Sequence, residues 1–160
     1  MRTSVARLVE DPQGLREEEF LIAFEAFAQA VRRARGAPAQ ASDTALTLSQ
    51  YALLQGLADR DVARVSDLAA GAGVTPSTAT RILDALERRG IVSRTRPPED
   101  RRAVAITLTD TGRDVLSFHH RWVRERQRSF YASLPGVERE LAPDLLVRLA
   151  ALIDELATGP

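Results

Sequence analysis

The chain contains no cysteine, and although 22 of its 160 residues are Lys or Arg, none of them is lysine. The first absence removes thiol catalysis, disulfide staples, Cys-ligated zinc and sensing by cysteine oxidation. The second makes every side-chain cation other than histidine an arginine. A GC-rich codon supply is the plainest cause, yet the planar guanidinium fork also suits phosphate and guanine better than an ammonium does. Aromatic residues are sparse at 5%. No apolar run approaches the roughly 18 residues of a membrane span. The opening MRTSVARLVEDPQGLREEE has no apolar signal core, so a cytoplasmic location is expected. What is present is a 44% hydrophobic chain, too apolar for a disordered one. Its length suits one domain, or one domain with an appended dimerisation layer, and needs no metal or disulfide to build a core.

Net charge is also absent, with 22 basic against 22 acidic residues. Taken whole, that argues against a polyanionic partner. Its distribution argues otherwise. Residues 1–63 hold 7 Arg against 9 acids, residues 64–113 hold 9 against 6, and residues 114–160 hold 6 against 7. Within the middle, residues 88–102 hold 6 Arg against 2 acids. A basic centre is flanked by slightly acidic ends.

Hydrophobic periodicity predicts a helix over 17–35, with Phe20, Phe24, Phe27 and Val31 on one stripe, Glu17 to Glu19 in its first turn and Arg32, Arg33 and Arg35 in its last. Residues 36–46 read as a linker. Thr47 opens a second helix to about Asp59, with Leu48, Ala52, Leu53 and Leu57 inward. VARV at 62–65 suits a short strand, and Ser66 a cap for a third helix that ends near Gly71 or Gly73. Thr75 and Pro76 start a fourth, with Ala79, Ile82, Leu83 and Leu86 inward and Gly90 as its left-handed stop. Residues 91–96 and 102–108 form a hairpin around PPEDR, with Val104, Ile106 and Leu108 alternating against Ala103, Ala105 and Thr107. Thr109 caps a long helix to about Ser133, whose apolar positions are Val115, Leu116, Trp122, Val123 and Phe130. Pro135 and Gly136 break the chain before a Leu-rich helix from about Pro143. The expected fold class is therefore mainly α with a small β-hairpin wing: a winged helix-turn-helix over residues 46–110, with helical regions N- and C-terminal to it at 1–45 and 111–160.

The fourth helix turns Ser77, Thr78, Thr80, Arg81, Asp84 and Arg88 away from its apolar stripe. Hydroxyls near a helix N-terminus with an arginine one turn on suit base edges in a major groove, and the terminus offers amide donors to a phosphate. The same hydroxyls are ordinary capping groups, so this helix alone leaves both readings open. The hairpin decides between them. Arg94 and Arg96 share a strand face, Arg101 and Arg102 sit at the tip or its exit, and Asp100 can hold Arg102. Pro97 and Pro98 stiffen the turn. A stiff ribbon tipped with arginine fits a narrow minor groove, where negative potential attracts Arg.

LTLSQYALLQGL, SDLAAGAGVTPSTATRILDALERRGIVSR and PEDRRAVAITLTDTG together resemble the MarR family of bacterial transcription regulators, over roughly residues 46–116. The Asp-x-Arg wing followed by a hydrophobic strand and Leu-Thr-x-x-Gly is the most specific part. The resemblance implies an intertwined homodimer, with Ser77, Thr78, Thr80 and Arg81 on the base-reading face. It also implies that Arg102 enters the minor groove steadied by Asp100, and that Arg94 and Arg96 approach the DNA backbone. It implies a repressor released by a small phenolic, aromatic or anionic ligand. Pro76 departs from the polar residue common at its position, which removes one expected phosphate contact.

Two-fold symmetry would set two recognition helices about 34 Å apart on a pseudo-palindrome in double-stranded DNA. Effector candidates are Phe24, Tyr51, His119 and Trp122. His119 and His120 point about 100° apart on a helix and cannot share a metal as an i, i+4 pair would, so neither metal nor cofactor is expected. No nucleophile triad, carboxylate pair or phosphate loop stands out, so an enzyme is not expected. Gly71 and Gly73 suit a helix turn. The competing reading is a winged-helix protein-interaction module that never binds DNA.

Overall fold

The computed structural model of the protein describes residues 12–36, 45–58, 60–95 and 104–159. Six helices and three short strands follow one another along them. They are α1 (Pro12–Gly36), α2 (Leu48–Gln55), β1 (Ala63–Arg64), α3 (Val65–Ala72), α4 (Pro76–Arg88), β2 (Val92–Thr95), β3 (Ala105–Leu108), α5 (Asp110–Ser133) and α6 (Gly136–Thr158). They divide into two compact units, residues 1–116 and 117–160, with α5 running from one into the other.

Local chemistry explains most boundaries of the first unit. Thr47 and Gln50 form a reciprocal capping box at α2: the Gln50 amide donates to the Thr47 hydroxyl at 3.1 Å, and the Thr47 amide donates to Oε1 of Gln50 at 3.0 Å. The Val74 and Gly73 amides close α3, with Gly73 at φ +62°, a left-handed position that a residue with a Cβ adopts at a cost. Thr75 caps α4 and Pro76 takes its first turn, where a missing amide costs nothing. Leu53, Leu54, Leu68, Leu83, Leu86, Ile91, Val92 and Ile106 are fully buried and form the core of this unit. Each contributes roughly 1.5–3 kcal/mol of burial. β3 is the central strand in the order β1–β3–β2 and pairs antiparallel with both neighbours, in the register Ala63↔Ile106 and Arg94↔Ile106.

Several expectations need correction. α1 begins at Pro12, so Glu17 to Glu19 lie beyond its first turn, and its first turn holds no acid. Leu48 is exposed, while Leu54 takes the inward place instead. Ser66 is not a cap: β1 ends in extended backbone at Arg64, α3 starts at once, and the Ser66 hydroxyl bonds the Asp67 carboxylate at 3.3 Å inside the helix. The two faces of β3 do not alternate cleanly. Ala105 and Ile106 are both buried although they point to opposite faces, while Thr107 and Leu108 are half-buried. The last helix starts well before Pro143. Pro135 leads in with extended backbone, and the Arg139 amide already bonds the Pro135 carbonyl at 2.9 Å, leaving Pro143 inside α6.

In the second unit, Arg139 of α6 reaches back to the end of α5. Its guanidinium donates to the carbonyls of Ala132 at 3.0 Å and Leu134 at 2.9 Å, and lies over the Tyr131 ring. Ala132 lies in the last turn of α5 and Leu134 just past its end, so the arginine joins the two helices by capping the first. Trp122 and Phe130, expected as apolar packing positions of α5, are exposed in the single chain.

Candidate nucleic-acid interface

α4 is positioned by its inner stripe. Ala79, Leu83 and Leu86 are fully buried, and the 13-residue helix turns its remaining face to solvent. Ser77, Arg81 and Arg88 fall along the middle of that outer face, with Thr80 and Asp84 to one side and Thr78 to the other. Ser77, Thr80, Arg81 and Arg88 are exposed and Thr78 is half-buried. The structure thus sets the six α4 residues singled out by sequence, Asp84 included, on the side of the helix away from its buried stripe.

The N-terminus of α4 is more committed than its sequence indicates. Thr75 Oγ1 accepts the Thr78 amide at 3.2 Å, donates to Thr78 Oγ1 at 2.9 Å and lies 3.0 Å from Ser77 Oγ. The Ala79 amide bonds the Thr75 carbonyl at 2.9 Å. Pro76 has no amide proton, so the Ser77 amide is the donor of this turn left for a phosphate. The Thr80 hydroxyl donates to the Pro76 carbonyl at 2.9 Å, which leaves its oxygen as an acceptor. Thr75, expected as a cap, is one, and it also ties down the Ser77 and Thr78 hydroxyls.

Arg94 departs from expectation. It projects from β2 onto α4 and forms ion pairs with Asp84 at 2.5 Å and Glu87 at 3.3 Å. Its side chain is 27% exposed, so the guanidinium lies against the helix rather than reaching into solvent. Among the described residues, neither Arg81 nor Arg88 has an ion pair. Arg89, at the end of α4, donates to the Ala45 carbonyl at 3.0 Å and fixes the lead-in to α2. Arg96, Asp100, Arg101 and Arg102 lie outside the described residues.

The base of the hairpin is fixed by the Leu-Thr-x-x-Gly segment. The Thr109 hydroxyl donates to the Gly90 carbonyl at 2.5 Å and accepts the Gly112 amide at 2.9 Å, while the Thr109 amide bonds the Ile91 carbonyl at 3.1 Å. A Cβ on Gly112 would run into that same Ile91 carbonyl. The motif therefore clamps the start of α5 to the turn that leaves α4.

The four effector candidates divide between the units. On α1, Phe24 is half-buried and stacks on Phe20 at 6.2 Å; Tyr51 of α2 is buried. On α5, His119 is buried and its ring lies 5.5 Å from that of Trp122, which is half exposed. Burial pushes the His119 imidazole below its ordinary pKa. No group of three metal-binding side chains occurs among the described residues, and no helix there is long and apolar enough to cross a membrane.

Two short helices joined through Gly73, a three-stranded sheet and an outward face of hydroxyls and arginines define a winged helix-turn-helix protein. Similarity to known proteins places it further. The MarR family model matches residues 46–104. The uncharacterized HTH-type transcriptional regulator YdgJ of Bacillus subtilis is 32% identical over 113 residues, which cover 71% of this chain and 69% of that protein. The transcriptional repressor CouR, solved bound to a 23-mer DNA duplex, is 27% identical with a TM-score of 0.60, covering 97% of this chain and 100% of that one. The PcaV transcriptional regulator from Streptomyces coelicolor is 28% identical with a TM-score of 0.60, covering 68% and 79%. The chain belongs to the MarR family of transcriptional regulators.

Proposed function

We propose that this regulator is a cytoplasmic homodimer that reads a pseudo-palindromic operator in double-stranded DNA and acts as a repressor released by a small aromatic or anionic effector. In this reading residues 46–110 bind DNA, and residues 1–45 and 111–160 dimerise. Ser77, Thr78, Thr80, Arg81 and Arg88 face the major groove, Arg102 enters the minor groove with Asp100 as its scaffold, and Arg96 and Arg101 meet phosphates. Phe24, Tyr51, His119 and Trp122 are the effector candidates. No catalytic step is assigned. The observation that carries the proposal is the outer face of α4, where Arg81 and Arg88 stand exposed among hydroxyls with no carboxylate of the described residues paired to either. CouR on its duplex and PcaV, solved with its natural ligand, support the two partner classes.

Fluorescence anisotropy with the gene's own upstream DNA tests it. Binding should weaken steeply with salt, with a log–log slope of about −0.9 per phosphate neutralised. Arg81→Ala should cost about 1–3 kcal/mol and relax base preference at one position of each half-site. Arg102→Ala should weaken binding most where the minor groove is narrow. If both variants bind like wild type, or salt has no effect, the proposal fails.

A further inference from the structure

The recognition helix carries two carboxylates on the flank of the very face that would meet DNA. Asp84 lies one turn beyond Thr80 and Arg81 and one turn before Arg88; Glu87 follows on the same flank. Asp84 is therefore within i, i+3 or i, i+4 reach of both exposed arginines. A carboxylate at that spacing would pair with either and lower its availability to a base or a phosphate. It would also repel the DNA backbone. Neither pairing occurs. Asp84 and Glu87 instead both pair with Arg94, which arrives from β2 and is the least exposed of the three side chains at 27%, against 41% and 40%.

We infer that Arg94 is a positioning residue for DNA recognition: it sequesters Asp84 and Glu87, which keeps Arg81 and Arg88 unpaired and holds the first wing strand to the recognition helix. This rests on the DNA-binding reading above and differs from a direct phosphate contact by Arg94. An arginine suits the task because its fork can engage two carboxylates at once, whereas a lysine offers one compact charge. The base of the wing and the reading head thus share one electrostatic contact.

The test uses the full-length protein, the tightest duplex that the wild type selects from a random library, and an unrelated duplex of equal length. Wild type must prefer the selected duplex and Arg81→Ala must lose that preference. If neither holds, the DNA-binding reading falls and the inference with it. Given both, Arg94→Ala should lower the ratio of specific to unrelated binding by about tenfold, because a freed Asp84 captures a base-reading arginine whose bidentate contact is of that size. The triple variant Asp84→Asn/Glu87→Gln/Arg94→Ala should recover most of the ratio. Arg94→Lys, the milder change should Arg94→Ala not fold, should lose part of it. The inference is overturned if Arg94→Ala weakens both duplexes equally and the triple variant restores nothing, or if Arg94→Lys binds both like wild type, since those are the marks of a phosphate contact.

Discussion

His119 shows how one side chain ties stability to pH. Its imidazole is buried, and burial disfavours the charged form, so its pKa in the folded chain lies below the ordinary value of about 6.5. Below that ordinary value the unfolded chain binds a proton more readily than the folded one. Stability is then lost as pH falls through the window from about 6.5 down to the depressed folded pKa, and is unaffected by this group above it. Thermal melts should show the midpoint falling between pH 7 and pH 5, and His119→Gln should flatten that fall. An unchanged slope in the variant would assign the pH dependence elsewhere. Sequence could place His119 on a helix beside His120 but could not tell which of the pair faced inward, because adjacent helical residues both fit the apolar pattern within one position. The same limit applies to Arg94. Its charge and strand position are legible, but its partners lie on another element, and an ion pair between elements leaves no local signature.

The elements of the winged unit are held to each other by backbone groups as much as by apolar burial. Thr109 ends β3, caps α5 and bonds the two carbonyls that follow α4, and Gly112 must lie flat against one of them. Gly112→Ala should therefore destabilise the chain by about 1–3 kcal/mol, the usual cost of forcing an added methyl into a packed site. Chemical denaturation measures it directly, and a change below about 0.5 kcal/mol would place the residue among ordinary surface positions. Elements of this kind were the most legible part of the sequence. The cap at Thr75, the stop at Gly90, the hairpin strands and the long helix after Thr109 each have a chemical punctuation mark. The misread boundaries lack one. Ser66 resembles a cap but sits one residue inside a helix that a strand launches directly, and Pro143 resembles a helix start but lies within a helix already begun at Gly136. Strand β3 was misread in pattern rather than place, since its two buried residues, Ala105 and Ile106, are consecutive and so belong to opposite faces.

At the scale of the whole molecule, the single chain leaves many large apolar side chains exposed. Phe20, Leu21, Ile22 and Phe27 of α1, Trp122, Phe130 and Tyr131 of α5, and Leu141, Leu145, Leu146 and Leu156 of α6 are all exposed. Surfaces of this extent mark an interaction site. Charge adds direction. Residues 117–133 hold four arginines against one acid, and residues 136–158 hold two against five. A second copy would thus offer both apolar area and opposite charge. The terminal helices thus carry the apolar stripes read from sequence, and those stripes remain open in one chain. The expected outcome is a dimer by sedimentation at micromolar concentration, with a thermal midpoint that rises with protein concentration. Leu145→Glu/Leu146→Glu should give a monomer whose far-ultraviolet circular dichroism still reports folded helices and whose midpoint no longer depends on concentration. Its affinity for a two-half-site duplex should fall to that for a single half-site, because the second recognition helix no longer benefits from the effective concentration of a linked partner. A wild-type chain that sediments as a monomer would overturn this, and would also leave the modest basic centre of the sequence as the whole of its hold on DNA.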